Sequence, residues 1–335
     1  MPLISTDRVF ADAQTSATQG KIVWAPARSL WVGGMTLAAL VLAPFHTTPG
    51  AVLLFLLTTA VTICGGHSIG LHRLLIHRSF SAPLWVERVL VYLGTLVGMA
   101  GPLGMVALHD MRDWAQRQTQ CHDLHAHRAP PLLDAWRQMH CSLELAHPPR
   151  VVLEARLADD GFLRFIEATW MAQQLPWAVA FYALGGLPWL VWGVPVRVAV
   201  SLTGHWIVGH ITHRRGPQGW VVDDTAVQGH DLPAAAWITF GEAWHGNHHA
   251  WPGSARLGIE AGQADPGWWT LLVLARLGLV WGLRQPGDLA ARDGLRKVGA
   301  ERVLGSSTER WQTARSGENK PVNSRERFSV LRKSY

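Results

Sequence analysis

The strongest constraint on this chain is a set of uncharged apolar runs too long for an ordinary soluble core. Residues 29–45 and 51–71 contain no Asp, Glu, Lys or Arg and are joined by Thr47-Thr48-Pro49-Gly50, a turn signal. Each approaches the roughly 20 residues that a spanning helix needs. The uncharged stretch 168–196 is too long for one span and is broken by Gly185, Gly186, Pro188, Gly193 and Pro195, and 198–212 continues the apolar character beyond Arg197. These four segments predict two transmembrane hairpins. A further run, 89–108, has spanning length but carries Gly94, Gly98, Gly101, Pro102 and Gly104. Residues 265–283 are interrupted by Arg276 behind a Trp pair, which reads as an interfacial amphipathic helix rather than a fifth span.

Composition places the rest of the chain outside the lipid. Charged residues make up only 16%, against roughly 25% in soluble proteins. The eighteen tryptophans suit membrane interfaces. A mean hydropathy of +0.10 is nevertheless too low for a chain that is all membrane. Residues 1–28 read as a polar cytosolic lead-in without the apolar core of a signal peptide. Residues 29–290 read as the membrane domain, and 291–335 as a polar, disordered tail. Ten Arg lie between His72 and Glu167, and sixteen Lys plus Arg follow from His213 onward. Both termini and the central segment are therefore expected on the cytosolic side. The formal charge of +6 is scattered and follows no nucleic-acid-binding pattern. Three cysteines without C-x-x-C spacing argue against a disulfide framework and fit a reducing compartment.

Chemistry-bearing residues collect at the ends of the apolar runs. In Glu242-Ala243-Trp244-His245-Gly246-Asn247-His248-His249, the three histidines sit at i, i+3 and i+4, so their rings share one helix face. Neutral imidazoles point to a transition metal rather than calcium or magnesium. Glu242 shares that face and is expected to orient a ligand from behind. His72 and His77 follow the second apolar run; on an ideal α-helix a spacing of five sets their rings about 140° apart. His67 is expected to face away from His72 and serve as buried structure. His205, His210 and His213 end the last run, and one ligand is expected among them.

Together, HRLLIHRSF (72–80), GEAWHGNHHAWPGSARLG (241–258), His213 before Arg214-Arg215-Gly216 and the DPGWW…LGLVW run (265–281) resemble the membrane-bound fatty acid desaturases, in particular the acyl-CoA desaturase-like group. The resemblance covers roughly residues 30–285. It implies an all-α integral membrane fold: four spanning helices in two hairpins under a cytosolic helical cap carrying a histidine-rich metal site. It implies two irons and O2 as co-substrate, removing hydrogen from an unactivated methylene. The fatty acyl substrate would be linked to CoA, a carrier protein or a lipid. Electrons would come from a separate donor protein, since the chain has no haem or iron–sulfur motif. By position, His72, His77, His109, His213, His245, His248 and His249 match metal ligands, with Glu242 and Asn247 behind them. For His109 to join His77, residues 89–108 must lie in the cap or along the interface rather than span.

The sequence departs from the family in the middle box. An H-x-x-H-H is expected where the chain reads His109-Asp110-Met111-Arg112-Asp113. Arg112 is permanently charged and cannot ligate iron; Asp113 can. Either Asp113 replaces a histidine, with Arg112 beside it, or one metal position is lost, or His122, His125, His127 or His140 folds back to compensate. Gly209 is a second departure, standing where the family often has an asparagine that holds a metal-bound water. Three readings follow: a desaturase, a lipid or alkyl hydroxylase on the same scaffold, and a degenerate, non-catalytic membrane protein.

Overall fold

The computed structural model describes residues 6–298. Most of the expected tail, 299–335, lies outside the described residues. Helix α1 (Pro26–Leu42) ends in a tight 3-10 turn through Phe45. Thr48 then caps α2 (Pro49–Ile76): its hydroxyl accepts from the Ala51 amide at 3.2 Å, and Pro49 fills the first helical position. The turn read from Thr47–Gly50 is thus the helix start of the first hairpin. After α2 come α3 (Leu84–Thr95), α4 (Pro102–Gln116), α5 (Pro131–His140), α6 (Gly161–Thr169), α7 (Gln174–Thr212), the short α8 (His245–Ala250) and α9 (Pro266–Arg276).

Among the described residues, three helices are long and apolar enough to cross a membrane: Pro26–Phe45, Pro49–Ile76 and Gln174–Thr212. They leave large apolar side chains uncovered, with Leu30 73%, Phe45 82% and Leu184 74% exposed. A water-soluble fold does not leave such continuous apolar surface bare, so this is a membrane protein. Of the expected breaks at Gly185, Gly186, Pro188, Gly193 and Pro195, one interrupts the helix. The chain stays helical through Trp192–Val196 into Arg197–Thr212, and the break falls at Gly186, whose φ of 64° suits glycine. Arg197 is buried inside the helix. Its guanidinium donates to Gly193 O (2.8 Å), Leu96 O (2.6 Å) and Gln174 Oε1 (2.6 Å), which satisfies a charge otherwise costly at that depth.

Residues 89–108 do not form one helix. They divide between α3 and α4, with Gly98 in the left-handed region at φ 85°. The all-helical expectation needs correction, because the lead-in forms strands. β1 (Val9–Phe10) pairs antiparallel with β4 (Arg150–Val151), and β2 (Gly20–Trp24) with β3 (Cys141–Leu145). Arg8 is buried, donating to Ile76 O and Asp110 and pairing with Glu154. The three cysteines are free and buried.

Close packing sets the end of α2. A Cβ on Gly70 would lie 2.4 Å from Leu90 O, and one on Gly66 would lie 2.3 Å from the Gly94 amide nitrogen. Only glycine admits this backbone contact between α2 and α3. Gly70→Leu is therefore expected to cost about 3 kcal/mol or more by overpacking. Its melting curve in detergent would show a clear drop, and an unchanged curve would mean that the helices can separate freely.

Candidate metal centre

From Val61 to Ile76, α2 is wound as a π-helix. An i→i+5 ladder stacks residues five apart, and the His77 amide donates to His72 O at 3.1 Å. The two rings that an α-helix would separate therefore meet, with centroids 4.9 Å apart. The same winding overturns the expectation that His67 faces away from His72, although His67 joins no metal group among the described residues. Its ring stacks parallel to His72 (6.4 Å, 9°) and meets His205 edge-on at 5.1 Å.

α4 brings His109 to this pair, 5.3 Å from His72 and 4.8 Å from His77. α8 brings His248, 4.5 Å from His72 and 4.8 Å from His77. In the resulting four-histidine group, one ring nitrogen of each lies within 4.8 Å of the others. A second group comprises His213, His245 and His249. Here His245 Nε2 is 3.0 Å from both His213 Nε2 and His249 Nε2. The histidines of α8 share a face but do not serve one point: His248 joins one group, while His245 and His249, one turn apart, join the other. The groups adjoin, with the His245 and His248 rings 5.6 Å apart.

Surrounding groups orient the rings. Glu242 Oε2 lies 2.6 Å from His72 Nδ1, and Glu242 Oε1 accepts from Ser68 Oγ at 2.5 Å. Burial opposes ionisation of Glu242, but His72 and Arg73 hold its carboxyl well below the usual range. His213 Nδ1 donates to Gly209 O (2.7 Å), leaving Nε2 for the group. Asn247 Nδ2 donates to Leu257 O and to Gln263 Oε1, both at 2.8 Å, tying α8 to the loop before α9. Burial and neighbouring imidazoles push His77, His213, His245 and His248 well below the ordinary histidine value. Burial takes His249 to about 4 against the pull of Asp113. Neutral imidazole is the form that binds a metal.

Iron fits these residues. His77 Nε2, His109 Nδ1 and His248 Nδ1 are buried without hydrogen-bond partners, an arrangement that protein atoms leave unsatisfied and a cation would complete. All-imidazole donor sets suit a transition metal.

Of the middle box only His109 belongs to either group; Arg112 and Asp113 have other partners. Asp113 pairs with Arg292 at 3.5 Å, and that guanidinium also donates to His249 O. Although burial opposes it, Arg292 and Arg117 hold Asp113 ionised below the usual carboxylate value. Arg112 donates to Gln138 Oε1 at 3.2 Å. His210 joins neither group; its Nδ1 lies 2.7 Å from Asp134 Oδ2.

Two contributors carried no histidine signal. Arg73 is buried and donates to Ala255 O (2.8 Å), Phe240 O (3.0 Å) and Asp265 Oδ1 (3.0 Å). Asp265 in turn accepts from the amides of Leu257 (2.7 Å), Gly258 (3.1 Å) and Trp268 (2.9 Å), capping α9. Their only sequence trace is their place inside the HRLLIH and DPGWW motifs.

No family model matches the chain. It is 30% identical over 268 residues to the acyl-CoA 5-desaturase AL21 of Anemone leveillei, spanning 78% of this chain and 80% of that one. To the sn-1 stearoyl-lipid 9-desaturase of Anabaena variabilis it is 31% identical over 275 residues, 79% of this chain and 94% of that one. The protein of the same name from Synechocystis is 30% identical over 246 residues, 72% of each chain. With this similarity along most of its length, together with the apolar helices and the two histidine groups, the chain belongs to the fatty acid desaturase family.

Proposed function

We propose that the protein is an O2-dependent desaturase that introduces a double bond into a long fatty acyl chain at a histidine-ligated iron centre. The observation that carries this reading is the pair of adjoining inward-facing histidine groups at the ends of apolar helices. Bound iron would activate O2 and remove hydrogen from an unactivated methylene. Two hydrogens from adjacent carbons, with two electrons and two protons from a separate donor protein, balance the reduction of O2 to two waters.

The ligand set is His72, His77, His109 and His248 in one position, and His213, His245 and His249 in the other. Glu242 holds the His72 tautomer through Nδ1, and Asn247 keeps α8 in register with the loop behind it. Asp113, with Arg292 satisfying its charge, serves the site from outside. Gly186 divides α7 into two spans, which gives four in all. The distribution of arginine supports an orientation with both termini and the metal site on the cytosolic side. The relatives act on CoA-linked and lipid-linked chains by name, and an acyl chain in one of these forms is the substrate class here.

Lipid mass spectrometry on cells expressing the chain, against His249→Ala, tests the reading. Acyl chains lacking two hydrogens, seen only with the intact protein, are the expected result. An added oxygen would make it a hydroxylase. No difference, with both proteins in the membrane, would leave the non-catalytic reading.

A further inference from the structure

We propose that His127, oriented by Asp134, is a ligand of the second metal position and completes the group that the altered middle box leaves one short. This rests on the iron-centre reading above. The first group has four histidines, whereas the second has three. Asp113 and Arg112 do not fill the gap, since one is paired with Arg292 and the other with Gln138.

His127 comes from the loop between α4 and α5 and is 2% exposed. Its ring lies parallel to that of His213, 6° between planes, with centroids 5.0 Å apart. That spacing falls within the 4.5–5.3 Å separating rings inside the second group. Its Nδ1 lies 2.9 Å from Asp134 Oδ2, so Nδ1 carries the proton and Nε2 presents a lone pair. Nε2 is buried without a hydrogen-bond partner. A carboxylate behind an imidazole whose far nitrogen is bare is the arrangement that orients metal-bound histidines.

Two features of the backbone agree. His127 has φ 51°, a left-handed conformation uncommon in a side-chain-bearing residue; such strain persists where surrounding structure imposes it, often at functional sites. Gly209, one turn before His213, lies beside the His127 ring: a Cβ there would be in ordinary contact with it, 3.8 Å from Nε2. The longer side chain common in the family at this position would compete for that space.

His127 also groups with Asp134 and His210, but those three are a buttress rather than a separate cation site. Asp134 Oδ2 receives His127 Nδ1, His210 Nδ1 (2.7 Å) and Trp206 Nε1 (3.0 Å). The remaining His210 nitrogen faces the Arg214 guanidinium at 3.2 Å, which would repel a metal. Of the ring nitrogens in that cluster, only His127 Nε2 is bare.

The test uses full-length protein purified in detergent and loaded with 57Fe, read by iron per chain and by Mössbauer spectroscopy. His127→Ala is expected to hold about half the wild-type iron and to lose one spectral component. His109→Ala should instead disturb the other component. His127→Gly with added imidazole should regain the lost iron. Asp134→Asn leaves the ring in place and should weaken iron binding about 10–100-fold at that position alone, which keeps the question answerable if the His127 variants fail to fold. Wild-type iron content and spectrum in His127→Ala or Asp134→Asn would overturn the assignment while the iron reading stands. No iron in wild type would remove both.

Discussion

Replacing His248 with Ala is expected to abolish desaturated product while the chain still inserts in the membrane. His248 is a buried member of the four-histidine group, with its ring 4.5 Å from His72 and 4.8 Å from His77. It also sits between His245 and His249 on the six-residue α8, at the seam between the two groups. Losing a partner behind a metal ligand already costs about 10–100-fold in metal affinity or activity, and losing the ligand itself should cost no less. Iron content should fall with product. Because α8 is fixed by Asp231 Oδ1, which accepts from the Gly246 amide at 2.9 Å, and by Asn247, the substitution should leave the local fold in place. Product at wild-type levels in membranes containing His248→Ala would remove this histidine from the ligand set.

Asp265→Ala is expected to have the largest effect on stability. Asp265 and Arg73 are each 1% exposed, and the carboxylate is the nearer ionic partner of a guanidinium whose other counter-charge, Glu242, lies 3.5 Å away. Removing it takes the nearer of two counter-charges from a buried cation, a change that costs about 3 kcal/mol. The amides of Leu257 and Gly258 lose their acceptor, and α9 loses its cap, worth about 1 kcal/mol more. Against a total stability of about 5–15 kcal/mol, little folded protein should remain. Size-exclusion chromatography in detergent should show aggregated or absent material. Asp265→Asn, which keeps an acceptor and the shape, should be milder. A monodisperse Asp265→Ala protein melting within about 2 °C of wild type would show that the ion pair is dispensable.

How much of this was legible in sequence depends on the range of the interaction. The apolar runs, the cap at Thr48 and the histidine-bearing ends of α2 and α7 follow from local composition and spacing. Local spacing misleads where the helix departs from α geometry. The expectation of 140° between His72 and His77, and of a His67 facing away, assumed α winding; the π turns of Val61–Ile76 place residues five apart in line. The break in α7 falls at Gly186, one of the glycines and prolines that interrupt the run, while Arg197 stays helical because Gly193, Leu96 and Gln174 satisfy it inside the protein.

The sequence by itself determined which residues could ligate a metal and which helices had to meet lipid, because both are properties of side-chain chemistry over a short stretch. Only the tertiary structure decided how these histidines are divided between two groups. One face of α8 supplies two groups because α2 and α4 approach it from one side and the end of α7 from the other. Asp113 pairs with an arginine 179 positions away in sequence, and His127 reaches the His213 ring from a loop that spacing alone could not place. Such long-range contacts depend on where backbones pack, as at Gly66 and Gly70 against α3, and no local pattern encodes them.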